Sequence, residues 1–144
     1  MARIDEWRLD PARYPHSAAI QTRFQDVDML GHINNVAFGA LFETARVRFN
    51  HQIGLAEWRG HRWLVAKVEI NYLAEAYHPA DIVIHTGIGA IGRRSWCLYA
   101  CAVQDGRTVA TADVVLVMEA KPGVDGLPPD FRARLEQYRV KAPD

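Results

Sequence analysis

The sequence predicts an α+β domain in which one curved antiparallel sheet wraps around a long central helix. Three observations carry this expectation. From Val36 to about Ile53, Phe38, Leu41, Phe42, Ala45 and Phe49 recur at helical spacing. From Leu64 onward, apolar and polar residues alternate with the period of two that marks a half-buried strand. Two later apolar runs meet at Asp105-Gly106, a dipeptide that strongly signals a two-residue hairpin. A single helix among several strands buries its surface most fully when the sheet bends around it.

In chain order, residues 18–25, AAIQTRFQ, read as a first strand that runs into the polar stretch 26–35, DVDMLGHINN. The helix follows, with Gly54 as its stop. Its other face carries Val36, Ala40, Thr44 and Val47, so it is apolar around most of its circumference and is expected to be enclosed by other elements. In the next strand Leu64, Ala66, Val68, Ile70 and Tyr72 share one face, and Val65, Lys67, Glu69 and Asn71 the other. His78-Pro79 ends it, because proline has no N–H for the ladder. DIVIHTGIGAI reaches Gly92, its glycines easing a sharp bend, and SWCLYACAVQ and RTVATADVVLVME form the hairpin. KPGVDGLPP reads as loop, and Pro128 to Tyr138 as a short amphipathic helix. With no repeat or linker, residues 1–144 form one domain, with a core at about 18–119 and a tail at about 120–144.

Composition excludes several function classes. Seventeen basic and seventeen acidic residues cancel, so the chain has no electrostatic footprint of a nucleic-acid or anionic-membrane binder. No apolar run approaches the ~20 residues that span a bilayer, and no signal-peptide h-region opens the chain, which points to the cytoplasm. Cys97 and Cys101 lie four apart in one strand, roughly 13 Å at ~3.3 Å per residue, too far to bridge. They are expected to be reduced structural thiols. His16, His51, His61, His78 and His85 stand at no recognisable ligand spacing, so no metal site is expected.

The stretch TRFQDVDMLGHINNVAFGALFETARVRF resembles the signature of hotdog-fold acyl-CoA thioesterases of the hydroxybenzoyl-CoA thioesterase type, in which D-x-D-x-x-G-H-x-N-N leads into the central helix. The likeness continues through KVEINYLAEAYHPADIVIHTGIGAIGRRSWCLYACAV and covers roughly residues 18–119. It implies a hotdog fold and hydrolysis of an acyl-CoA without a cofactor. It also implies a homodimer or homotetramer with the active site between subunits. Unpaired sheet edges independently favour association.

Chemistry gives the polar cluster a role consistent with that resemblance. Thioester hydrolysis needs a carboxylate to attack the carbonyl or to activate water, and donors to hold the oxyanion. Asp28 is the candidate carboxylate, placed just before a helix whose first N–H groups lack intrahelical partners. By resemblance, the backbone N–H near Asn35 polarises the carbonyl. Asn34 or Asn35 caps the helix, Asp26 ties loop backbone, and Gly31 lets substrate and backbone approach closely. His32 either orients substrate or water, or closes the loop. Asn34 and Phe38 are assigned to the substrate side; Phe38 stands where many relatives carry Tyr, implying a more apolar acyl pocket. Glu43, two turns into the helix, is a second carboxylate able to reach a pocket, or a helix-surface partner of Arg46 or Arg48.

Arg93, Arg94 and Ser95 form a turn whose two guanidinium groups suit the phosphates of CoA, with Lys67 as an additional cation. The alternative is a solvated hairpin tip. Two other functions share the pattern. One is a hydratase or dehydratase of the same fold using Asp28 and His32. The other is a non-catalytic acyl-CoA or acyl-carrier binding module.

Overall fold

The long helix α1 spans Asn35–Gln52 in a computed structural model that describes residues 4–144. Asn34, in extended conformation, caps it by accepting the Ala37 N–H at 2.7 Å. Gly54 stops the chain from continuing by taking φ 79°, a left-handed conformation that costs glycine little.

Five strands form one antiparallel sheet: β1 His16–Ile20, β2 Trp63–Tyr72, β3 Ile82–Ile91, β4 Ser95–Gln104 and β5 Arg107–Met118. Their order is β1-β3-β4-β5-β2, so β1 and β2 are the two edges. Between β4 and β5, Asp105 and Gly106 both take positive φ, 51° and 75°, as a tight hairpin turn requires. A short helix α2, Pro129–Glu136, follows as the sequence predicts.

Two apolar clusters divide α1 along its length. Its first half buries Phe38, Leu41, Phe42 and Ala45 against Ile82 and Ile84 and against Ala100, Ala102, Ala110 and Ala112. Its second half buries Phe49 and Ile53 against Trp96, Leu98, Val114 and Leu116, and α2 adds Phe131 and Leu135. The outer face of the sheet is covered by the terminal segments. Arg8 lies 3.6 Å above the Tyr99 ring and pairs with Asp113, and Val140 joins Tyr14 and Cys101 in a third cluster.

Several expectations need correction. β1 is shorter and earlier than residues 18–25, because buried Thr22 leaves the ladder and donates its hydroxyl to the Ala80 carbonyl at 3.0 Å. In β2 a bulge between Val65 and Lys67 shifts the register. Tyr72, Ile70 and Val68 stand opposite Ala110, Ala112 and Val114 on the helix side, but beyond the bulge that side passes to Val65 and Trp63 instead of Ala66 and Leu64. The strand also ends at Tyr72, well before His78-Pro79, where Leu73 and Ala74 both donate to the single Val109 carbonyl. As an edge, β2 is not half-buried: Leu64, Val68 and Tyr72 are all at least half exposed in the isolated chain. Nor is α1 fully enclosed, since Val36 (79% exposed) and Val47 (60%) face outward. The β3 glycines serve close approach as well as irregularity. A Cβ at Gly89 would meet the Tyr99 ring at 2.4 Å, near the register shift between Ile88 and Ile91.

Candidate active site

The loop between β1 and α1 closes on itself by hydrogen bonds. Asp28 N–H donates to the His32 carbonyl at 2.9 Å, and Gly31 N–H to the Asp28 carbonyl at 3.1 Å. Gly31 has φ 85° with open space around it, so the position needs glycine for its backbone conformation; closeness of packing does not demand it. The loop is then fixed at both ends. Ile33 N–H donates to the Ala76 carbonyl at 2.8 Å, and Asn34 N–H to the Asp26 carbonyl at 2.8 Å. Asp26 is buried and structural, as expected. Its carboxylate receives the Arg23 backbone N–H and guanidinium, both at 2.9 Å. The Arg23 side chain, against the opposing cost of burial, holds the Asp26 carboxyl below the usual carboxylate range.

Asp28 differs from Asp26 in exposure and in partners. Its Oδ1 accepts backbone N–H groups from Leu30 (2.9 Å) and His32 (3.2 Å), while Oδ2 carries no hydrogen bond among the described residues. It lines a cleft of about 650 Å³ together with His32, Asn35 and Phe38. The Asn35 N–H, at the first position of α1, meets no acceptor among the described residues, as expected of a first-turn donor. One wall therefore holds a carboxylate and an open helix-start donor, the two elements that acyl transfer needs.

The opposite wall was missed by sequence reasoning. It contains Tyr72, Glu75, Tyr77 and Arg107. Tyr72 donates its hydroxyl to the Asn35 carbonyl at 3.2 Å and packs edge-on against Phe38 at 5.8 Å between centroids. Tyr77 donates to Glu75 Oε2 at 2.7 Å, a bond that pushes the phenol's pKa upward. The His32 ring stacks edge-on against Tyr77 at 5.4 Å, with Nε2 3.4 Å from Glu75 Oε2. Buried Gln104 grips this segment, accepting the Tyr77 N–H at 2.8 Å and donating to the Tyr77 and Ala80 carbonyls. Polar residues in LAEAYHPA between two strand patterns were the available signal.

The structure does not bring every expected residue to this cleft. Lys67 stands opposite Val115, on the face of β2 away from α1. Arg93 pairs with Asp125 at 3.3 Å, Arg94 donates to the Met118 carbonyl at 3.2 Å, and Ser95 opens β4 opposite Val117. This turn lies by Met118, which pairs with Trp63, whereas the cleft lies at the Tyr72 end of β2. Ten residues of strand separate those ends by about 30 Å. Glu43 is an exposed helix-surface residue 4.0 Å from Arg46. Cys97 and Cys101 are free, and burial pushes their thiols up to about 11 and about 12. Among the described residues no group of three or more His, Cys, Asp or Glu is placed to hold a metal ion, and no helix is long and apolar enough to cross a membrane.

Residues 22–135, which include both walls of the cleft, match the thioesterase-like superfamily. The chain belongs to that superfamily. This thioesterase is similar in structure to a Thermus thermophilus thioesterase complexed with coenzyme A and zinc, at TM-score 0.76 and 27% identity. That likeness covers 90% of this chain and 98% of the other. It is similar also to the PA5185 protein of Pseudomonas aeruginosa, at TM-score 0.78 and 25% identity, over 92% and 97% of the two chains. In sequence, the Bacillus subtilis protein YsmA is 27% identical over 120 residues, which span 82% of this chain and 80% of that one. The hotdog arrangement of a curved sheet around α1 is thus shared with its relatives, and the protein is a thioester hydrolase.

Proposed function

We propose that this thioesterase hydrolyses an acyl-CoA to the free acid and CoA, with Asp28 as the reacting carboxylate. The observation that carries the reading is the pairing, within one cleft, of the Asp28 carboxylate and the Asn35 N–H at the start of α1. Two backbone donors pin Oδ1 and so fix the carboxylate plane. Oδ2 then meets the carbonyl carbon, or the water that attacks it. The Asn35 N–H, aided by the helix dipole, receives the negative charge that develops on the carbonyl oxygen. Phe38 and Tyr72 form the apolar side of the acyl site.

CoA as the carrier is supported by the Thermus relative complexed with it. The nucleotide end is assigned to Arg93, Arg94 and Ser95 of a second copy. If two β2 edges pair antiparallel about a two-fold axis, the Trp63 end of one strand meets the Tyr72 end of the other. The Arg93–Arg94 turn of one subunit then stands beside the cleft of its neighbour. The half-exposed Leu64, Val68 and Tyr72 give that edge an apolar surface to bury. The proposed protein is therefore a homodimer at least, with Lys67 near the joint, and its two free cysteines suit a reducing cytoplasm.

A panel of aromatic, short and long acyl-CoAs, assayed for release of free thiol, tests the reading. At least one member is expected to turn over. A panel with no thiol release, from a protein that still binds acyl-CoA, would reassign the cleft to binding alone.

A further inference from the structure

We infer that Glu75 is the positioning residue for His32, and that the His32 imidazole carries the proton from water to the departing sulfur. The inference rests on the thioesterase reading of the cleft and adds to it the second half of the proton path. Hydrolysis forms a bond from water oxygen to the carbonyl carbon. It breaks the C–S bond with the electron pair going to sulfur, and the proton lost by water must finally reach that sulfur. Whether Asp28 attacks the carbonyl carbon or takes the proton from water, His32 gives its own proton to the sulfur as the C–S bond breaks, and regains one from the water that hydrolyses the acyl group, directly or by way of Asp28.

His32 is built into that place. Its backbone is held twice by Asp28, its N–H donating to Oδ1 and its carbonyl accepting the Asp28 N–H. Its ring is held by the other wall, edge-on to Tyr77, with Nε2 3.4 Å from Glu75. With Nε2 3.4 Å from Glu75 Oε2, Nδ1 is assigned to the substrate side. A carboxylate on one imidazole nitrogen fixes the orientation in which the other works.

Glu75 is itself held. Tyr77 donates to its Oε2 at 2.7 Å, and Arg107 donates to its backbone carbonyl at 3.0 Å. The Tyr77 hydroxyl sits on the same Oε2 that faces His32, which links the three side chains. The charged and titratable groups around the His32 ring are then Asp28 on its own loop, Glu75 and Tyr77 on the segment after β2, and Arg107 at the start of β5.

The test is a mutant cycle on the acyl-CoA that the wild type cleaves best. Glu75→Gln, which keeps the shape, is expected to lower kcat about 10-fold with KM changed less than 2-fold, the pattern for a group that matters only during reaction. His32→Gln is expected to lower kcat ~100-fold, the lower end for acid–base groups. Since Glu75 acts through His32, the double variant should be no worse than His32→Gln alone. Tyr77→Phe should give a smaller loss in the same parameter. Additive losses in the double variant, or unchanged kcat in Glu75→Gln, would overturn the inference while leaving the thioesterase reading in place. A wild type releasing no thiol from any acyl-CoA would overturn both.

Discussion

The two ends of α1 are built from different materials. Around Phe49 and Ile53, Trp96, Phe131, Leu98 and Leu116 close the space with large side chains, and three tryptophans stand around Phe131 at 5.1 to 5.7 Å between ring centroids. Around Phe38 and Phe42 the sheet offers a stripe of alanines, and beyond them lies a polar cleft. One end excludes water and fixes the helix; the other leaves the helix start open to a ligand. On the proposed reading, stability and chemistry fall at opposite ends of one element, so they should respond to different substitutions.

The largest expected effect lies at the closed end. Phe131→Ala removes a fully buried ring from the tryptophan cluster and should destabilise the fold by about 3–5 kcal/mol. Measured by denaturant unfolding, that loss should coexist with a kcat within 2-fold of wild type at temperatures well below the transition. An equal collapse of kcat in the folded variant would break the division of roles.

A smaller effect sharpens the comparison across subunits. Replacing Arg93 and Arg94 together by Ala should raise KM for acyl-CoA about 10-fold, because contacts to phosphates that do not change in the reaction bind ground and transition states alike. Turnover should stay constant, and the salt dependence of KM should weaken. An unchanged KM would leave the turn as the solvated tip that its Asp125 pair resembles.

Much of this division was legible in the sequence. The period of α1 placed both ends of the helix to within about one residue, since caps and apolar spacing are local signals. Asp105-Gly106 marked its hairpin for the same reason. The D-x-D-x-x-G-H-x-N-N stretch marked one wall of the cleft. The other wall was not legible, because Glu75 and Tyr77 reach His32 only through a long-range bond from Ile33 to Ala76 and the grip of Gln104. The bulge in β2 was equally hidden. Val65 and Ala66 are both apolar, so the pattern did not reveal which of them leaves the alternation. The openness of α1 and β2 is not legible either, because an apolar face has the same pattern whether or not its own chain covers it, and Val36, Val47, Leu64 and Val68 remain exposed.

The central claim, that the cleft at the open end is where thioester is cleaved, rests most heavily on Asp28. Asp28→Asn retains an Oδ1 able to accept the Leu30 and His32 N–H groups, so the loop should keep its form. Single-turnover and steady-state thiol release on the best acyl-CoA, with circular dichroism and light scattering to confirm fold and assembly, is the direct measurement. A kcat lowered by at least ~10²-fold in an otherwise intact protein is expected. A folded Asp28→Asn variant that kept more than half the wild-type turnover would contradict the claim.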